Sequence, residues 1–457
     1  RLMAALAEMF GDSVPTPSFI AQPPLKDALV AVECVIIRPK QEDKVNIEYK
    51  EAEGIRYAVV SHDGLRWVYA GGLSDDSKED TLEASQAAFA RMERILSAEK
   101  LKFSDVMRQW NYIEDIIGYT EDGKKQKYQI FNDVRSIRYQ KADFSKRGYP
   151  AATGIGMDCG GVIIEFIALD VGRRRDVVIG GVVNLLQRSA HDYTKRMLEG
   201  EAVLGLKEKT TPKFERAKVV LLRRRSRDIA SGESQRWIGW LFISGTASIR
   251  GEETVKIGDV EGQTRMTLEN IAYLISAENL MHPLNLGKLH LDVEVGAGLS
   301  DLLRVRTYAA EPNDFTKISD VAAMMLPVIP NRTVAAAVCR PNLLVETEGD
   351  SRIRFKGVSF GRYLLNRLYR ILAMIRWLFA PGNPAFLQPL SDAIAATAFP
   401  KHTSGSQEKL SACSLIAAEE LRQLSQELDF LLKEYDGRLG VMFMHDPISR
   451  TPGFELC

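Results

Sequence analysis

Short apolar runs alternate with amphipathic stretches along this chain, and their order predicts a repeated α/β architecture. Residues 30–37 read as a buried strand. Residues 56–60 and 66–70 flank Asp63-Gly64, a dipeptide favoured in two-residue hairpins because both positions tolerate positive φ. Gly71-Gly72 closes the second of these strands and permits close backbone approach. Residues 81–97 carry Leu82, Ala88, Phe89, Met92, Ile95 and Leu96 at helical spacing. A strand over 106–116, a helix over 126–141, a turn over 149–154 and a strand over 162–169 containing Glu165 complete the first series.

A second series has the same order. Strands are predicted over 214–222 and 237–244, around a Ser231-Gly232 turn, then a helix over 263–276. A strand over 302–308, a helix over 318–325 and a last strand over 343–348 follow. The two series superimpose at an offset of about 175 to 180 residues, as tandem repeats do. That offset lays Trp67 to Gly72 on Leu241 to Thr246, places Gly245 where Gly71 stands, and brings Glu165 near Glu346. Two copies of one α/β module are implied, joined by the polar stretch 188–211, each a mixed sheet with helices on one face. The domains expected are an N-terminal extension (1–29), a first module (30–175), a second (176–350) and a helical C-terminal extension (351–457). In that extension, residues 361–379 form a predicted basic amphipathic helix with Arg362, Arg367, Arg370 and Arg376 on one side. It reads either as a membrane-surface or partner helix, or as a helix docked on the body with its arginines in water. Residues 408–435 carry a leucine stripe suited to helix packing or an oligomer.

Composition narrows the function classes. The 457 residues leave room for roughly three domains. Sixty basic residues balance sixty acidic ones, so no nucleic-acid partner is expected. The five cysteines are scattered without a CxxC pair, which argues against a disulfide framework and for a reducing, cytoplasmic compartment. The six histidines lack metal-binding spacing, so neither metal nor cofactor is predicted. No apolar run is long enough to predict a membrane-spanning helix. No signal peptide is visible, and the chain starts at Arg1, which leaves the natural start open.

Candidate chemistry sits on the last strand. Glu346 and Glu348 follow the apolar run Leu343-Leu344-Val345 and, two apart, share a face. A carboxylate at the end of a buried strand is costly unless paired, protonated or functional. Either the strand has reached solvent there, or one of these acids holds a proton near neutral pH.

Several motifs, taken in order, resemble the chorismatase family, tandem relatives of the YjgF-type imine deaminases. In the first half these are Gln109-Trp110-Asn111-Tyr112-Ile113, Tyr128 with Phe131-Asn132 and Arg135, and Pro150-Ala151-Ala152. In the second half they are Gln187 with Ser189-Ala190, the run Pro212 to Ala217, the run Ser244 to Ile249, Gly258-Asp259-Val260 with Gln263-Thr264, and Cys339-Arg340 through Glu348. The resemblance implies two tandem YjgF-like modules around a barrel-like pseudo-oligomeric core. It implies a cofactor-free enzyme that removes pyruvate from chorismate or a similar enolpyruvyl acid, giving a hydroxybenzoate or dihydrodiol for secondary metabolism. A glutamate of the last strand would protonate the enolpyruvyl methylene: Glu346 first, Glu348 second. Arg340 and Arg216 would hold the substrate carboxylates, with Gly245, Tyr193, His191 and Gln187 as further contacts.

The chain also departs from that pattern. His191 replaces an aromatic residue after Ser189-Ala190, Lys207 to Thr210 replaces a Tyr-Gly-Pro-Arg-like run, and Ala310 stands where an arginine is usual. Ala152 occupies the place of the imine deaminases' catalytic arginine, which implies a structural first module. Two other functions therefore stay open: a catalytically degenerate binding or assembly subunit acting through its C-terminal helices, and another cofactor-free lyase or deaminase in the same pocket.

Overall fold

The computed structural model describes residues 17–24, 31, 33, 35, 45–223, 237–289, 291, 293–327, 329, 331–357, 441–445 and 452–456. The predicted helices over 361–379 and 408–435, and the partner or membrane contact read from the first, lie outside these residues. The chain divides into two units, Arg1–Lys356 and Gly357–Cys457.

The first unit holds two open six-stranded sheets. The first half supplies β1 (Asn46–Ala52), β2 (Ile55–His62), β3 (Leu65–Leu73), α1 (Thr81–Ala98), β4 (Val106–Glu114), α2 (Lys127–Tyr139), β5 (Ala151–Met157) and β6 (Val162–Asp170). The second half supplies β7 (Val177–Val182), β8 (Ala217–Arg223), β9 (Trp237–Ala247), the short pair β10 (Ile249–Arg250) and β11 (Glu253–Thr254), and α3 (Val260–Ile275) with the single turn α4 (Ala277–Leu280). It continues with β12 (Val293–Gly296), β13 (Leu302–Ala309), α5 (Phe315–Met325), β14 (Asn331–Ala335), β15 (Val345–Arg352) and β16 (Arg354–Gly357), which pairs with β12. The second unit, where described, is an antiparallel pair, β17 (Val441–His445) and β18 (Pro452–Leu456). The expected helical extension from 351 is thus corrected at both of its described ends. Residues 351 and 352 complete β15 by pairing with β9, and residues 441–445 and 452–456 are strands.

The duplication is explicit in the strand order. The first sheet runs β1-β2-β3-β6-β4-β5, and the second, read in the same sense, runs β7-β8-β9-β15-β13-β14. In each, the last two strands pair in parallel and the rest antiparallel. Each sheet packs one face on its own helices. Phe89, Met92 and Ile95 of α1 fill the first outer core, and Leu268, Ile271 and Leu274 of α3 fill the second. The inner faces meet in a shared core of Trp67, Trp110, Tyr112, Val220, Phe242 and Tyr308. Among the described residues neither sheet closes into a barrel.

Local chemistry explains the elements. The β2–β3 hairpin turns at Asp63 and Gly64, both at positive φ as a type I′ turn requires. Asp80 caps α1 by accepting from the amides of Leu82 and Glu83, and Asp259 caps α3 by accepting from that of Gly262. Each sheet carries a bulge at the same place. Gly71 and Gly72 stand together opposite Glu165, and Ser244 and Gly245 stand together opposite Glu348. The registers correct the alignment read from sequence. Gly245 occupies the place of Gly72, Glu165 matches Glu348, and Ile163 matches Glu346. The stretch 188–211 is likewise no linker between modules. It connects β7 to β8 inside the second sheet.

Candidate active site

Glu346 and Glu348 lie on one strand, two residues apart, and meet different surroundings. Both are buried, at 4% and 1% exposure. Glu348 points into the seam between the modules. Its Oε1 accepts from Trp110 Nε1 at 2.7 Å, and its Oε2 accepts from Arg108 Nη2 at 2.5 Å and from the Thr153 hydroxyl. Arg306 Nη1 stands 3.4 Å from Oε1. Burial alone would raise this carboxyl, but Arg108, Arg306 and the Thr153 bond outweigh it and hold Glu348 below the usual carboxylate range.

Glu346 instead lines a cavity of about 260 Å³. Burial, followed by the charge of Glu348, pushes its carboxyl up to about 8, while Arg216 and Arg108 pull the other way. Its carboxyl lies over Gly245, where a β-carbon would collide with Glu346 Oε1. Gly245 therefore serves by close approach, not by positive φ.

The cavity is walled by both modules. The first contributes Tyr128, Gln129 and Asn132 from α2 and Ala152 and Gly154 from β5. The second contributes Tyr193, Phe214, Arg216, Cys339 and Arg340. Arg216 is 3% exposed, donates from Nη2 to the Tyr193 hydroxyl (2.6 Å) and to the Arg188 carbonyl (2.9 Å), and leaves Nε buried without a partner. Arg340 donates to the Glu252 carbonyl at 2.8 Å. The two guanidinium carbons lie 5.7 and 5.1 Å from the centre of the Tyr193 ring, so one tyrosine carries both cations. Neither arginine has a carboxylate partner among the described residues. Arg196 at the rim differs, being paired with Glu252 and Glu253. Burial, reinforced by Glu346, pushes the Cys339 thiol up to about 12, which keeps it neutral in this wall.

Of the residues singled out from sequence, Glu346, Arg216, Arg340, Gly245 and Tyr193 converge on the cavity. Glu348, His191 and Gln187 do not line it. Gln187 donates to the Ile249 carbonyl, behind the wall. His191 lies 5.4 Å from the Tyr149 ring, with Nδ1 buried and unpartnered. The first-module contribution was missed. Its signal is present in Tyr128 and Asn132, four apart on one helix and so on one face.

The first module's residues 43–168 match the family described as Chorismatase FkbO/Hyg5-like, N-terminal. A 3-hydroxybenzoate synthase of Streptomyces hygroscopicus is 31% identical over 303 residues, covering 66% of this chain and 77% of that protein. This chain belongs to the chorismatase family. A chorismatase of Streptomyces rapamycinicus is 30% identical over 317 residues, 68% of this chain and 83% of that protein. A chorismatase crystal structure superimposes with a TM-score of 0.50 at 26% identity, covering 66% of this chain and 79% of that one. The chorismatase fold thus spans both sheets. Among the described residues no helix is long and apolar enough to cross a membrane.

Proposed function

We propose that this protein converts chorismate, releasing pyruvate, with Glu346 as the general acid. The reading rests on one arrangement: a carboxyl pushed up to about 8 opens on the same cavity as two arginines that lack carboxylate partners among the described residues. At neutral pH such an acid holds its proton and can donate it. The arginines would take the two substrate carboxylates, because a planar guanidinium matches a carboxylate in two parallel bonds. Tyr193 orients both, and the neutral Cys339 leaves the arginines' charge uncancelled.

The chemistry follows from protonation of the enolpyruvyl methylene carbon. The resulting cation is trapped by water, or by the hydroxyl neighbouring the ether on the ring. In the first case the hemiketal collapses to pyruvate and a dihydrodiol. In the second the ring carbon–oxygen bond breaks, pyruvate leaves and the ring aromatises to a hydroxybenzoate. Glu346 regains its proton in either course, so no external oxidant or reductant is needed. Glu348, ion-paired in the seam, holds no proton to give, and we assign the acid role to Glu346 alone.

Incubating the purified protein with chorismate tests this. Pyruvate, read by coupled oxidation of NADH with lactate dehydrogenase, is expected with turnover, and chromatography of the ring product separates diol from hydroxybenzoate. No pyruvate above the uncatalysed rate, at micromolar enzyme, overturns the reading.

A further inference from the structure

We infer that the cross-module ion pair Arg108–Glu348 is a positioning and charge-setting device for Glu346, so that the first module takes part in the reaction instead of only bracing the second. The inference rests on Glu346 being the acid, and it gives Glu348 a task that the cavity does not.

Glu348 is held from the other module. Arg108 and Trp110 come from β4 and Thr153 from β5, and the Arg108 guanidinium carbon also lies 4.4 Å over the Trp110 ring. Arg108 is 1% exposed, its Nη2 also donating to Thr153 Oγ1 at 2.6 Å. The same Thr153 oxygen accepts from the amide of Gly245 at 3.0 Å, and Gly245 is the floor beneath the Glu346 carboxyl. A continuous chain of contacts therefore runs Arg108, Glu348, Thr153, Gly245, Glu346.

The charges follow the same path. Residues two apart on one face of a strand have Cα atoms about 7 Å apart, close enough in a dry interior for one carboxyl to influence the ionisation of the other. The groups acting on Glu346 are Glu348 on its own strand, Arg108 of β4 and Arg216 at the start of β8. Cys339 before β15 and Tyr128 of α2 feel Glu346 in turn and are neutral. Those acting on Glu348 include Arg108, Arg306 and Arg304. Tyr112 of β4 and Tyr308 of β13 feel its charge, and Glu33 and Asp350 take up Arg304 and Arg306 on their far side. The first-module pair thus fixes one negative charge behind the acid, and that charge keeps the proton on Glu346.

The matching place in the first sheet shows what is special here. Glu165 occupies the position of Glu348, yet Ile163 occupies that of Glu346. Among the described residues Glu165 accepts a single side-chain bond, at 3.1 Å from the Tyr112 hydroxyl. The buried ion pair is built where there is an acid to control.

The test is the pH dependence of kcat and KM for pyruvate release by the full chain. The falling limb of wild-type kcat/KM, which reports the free enzyme, should have its midpoint near the value to which Glu346 is pushed, about 8. Glu348→Gln should move that midpoint down by about one pH unit, because the anion is gone and Arg108 remains. Arg108→Met should move it up, and Arg108→Lys should restore it. KM should stay within about twofold, since neither side chain lines the cavity. Should Glu348→Gln fail to fold, Arg108→Met set against Arg108→Lys carries the charge test, with an upward shift in the first and none in the second. Midpoints unchanged within about 0.2 unit while rates fall, or shifts of the same sign in Glu348→Gln and Arg108→Met, overturn the inference but leave the function intact. A wild-type protein that releases no pyruvate overturns the function instead.

Discussion

The two modules share a strand order, a bulge and a helix layer, yet at matched positions the second sets Glu346 on the cavity and the first has Ile163. At matched positions the first has Ile163, Glu165 and Gly72 where the second has Glu346, Glu348 and Gly245. Gly72 has φ +63°, and the Ser18 hydroxyl accepts from its amide at 2.7 Å, while the Gly245 amide donates to Thr153 of the other module. The difference teaches how a duplicated fold divides labour. One copy keeps the acid, and the other gives part of the wall, the Thr153 hydroxyl near the acid and the Arg108 cation. A carboxylate at 163 would lack such cross-module partners and face the cost of burial alone.

The largest break in this comparison is at the acids. Glu346→Gln is expected to lower kcat by about 10²- to 10⁴-fold, the range for losing a general acid, while Glu165→Gln stays within about twofold. The pH dependence has a definite sign. Glu346 must be protonated to donate, so wild-type kcat/KM should fall as pH rises through about 8. Stability runs the same way. The folded-state value lies above the unfolded one, so the stabilisation is complete below the unfolded value near 4.5 and is lost as pH rises to about 8. Thermal melts should therefore show Glu346→Gln less sensitive to pH over that window than the wild type. A variant equally active, or equally pH-sensitive in melting, would remove Glu346 from the centre.

Next come the arginines, which have no counterpart in the first module's wall. Arg216→Met and Arg340→Met should each raise KM by about tenfold to a hundredfold, the scale for unpairing a charge in a desolvated site. Their effects should be less than additive, because Tyr193 carries both cations. Fully additive losses would separate the two into independent sites.

The bulge glycines sharpen the contrast. Gly245→Ala drives a methyl into the Glu346 carboxyl and should cost about tenfold in kcat with little change in melting. Gly72→Ala meets both a positive φ and the Pro17 carbonyl at 2.9 Å, so it should cost about 1–3 kcal/mol of stability and leave kcat near wild type. The reverse pattern would mean that the bulges are equivalent.

The duplication was legible because its carriers are local. Asp63-Gly64, the α1 stripe from Ala84 to Leu96 and the apolar run before Glu346 each fix their element without help from afar. Of the two six-stranded sheets, the strands that escaped were β1, β5, β7 and β14. Asn46–Ala52 is largely polar, Ala151–Met157 is rich in alanine and glycine, and the other two are short edges, so none carries a strand-period signal. Five of the eight candidate site residues meet at the cavity because motif order tracks the strands that deliver them. The split between Glu346 and Glu348 was not legible, since it depends on Arg108, over two hundred residues away in sequence. Unequal lengths hid the alignment further: Glu165 lies 93 positions after Gly72 and Glu348 lies 103 after Gly245, so no single offset lays one repeat on the other.

The smallest expected difference lies at the helix caps, where both modules use the same device. Asp80 accepts from two amides and Asp259 from one. Asp80→Ala should cost about 1 kcal/mol, and Asp259→Ala somewhat less, within the usual range for a lost N-cap. Both helices pack on the outer face of their sheet, away from the cavity, so kcat and KM should not move in either variant. Chemical denaturation read by circular dichroism, with the slope unchanged, would give the two values. A kcat change in Asp259→Ala alone would mean that α3 is coupled to Glu346 through β15 or β9, on both of which it packs. The acid's position would then depend on its own helix layer as well as on the neighbouring module.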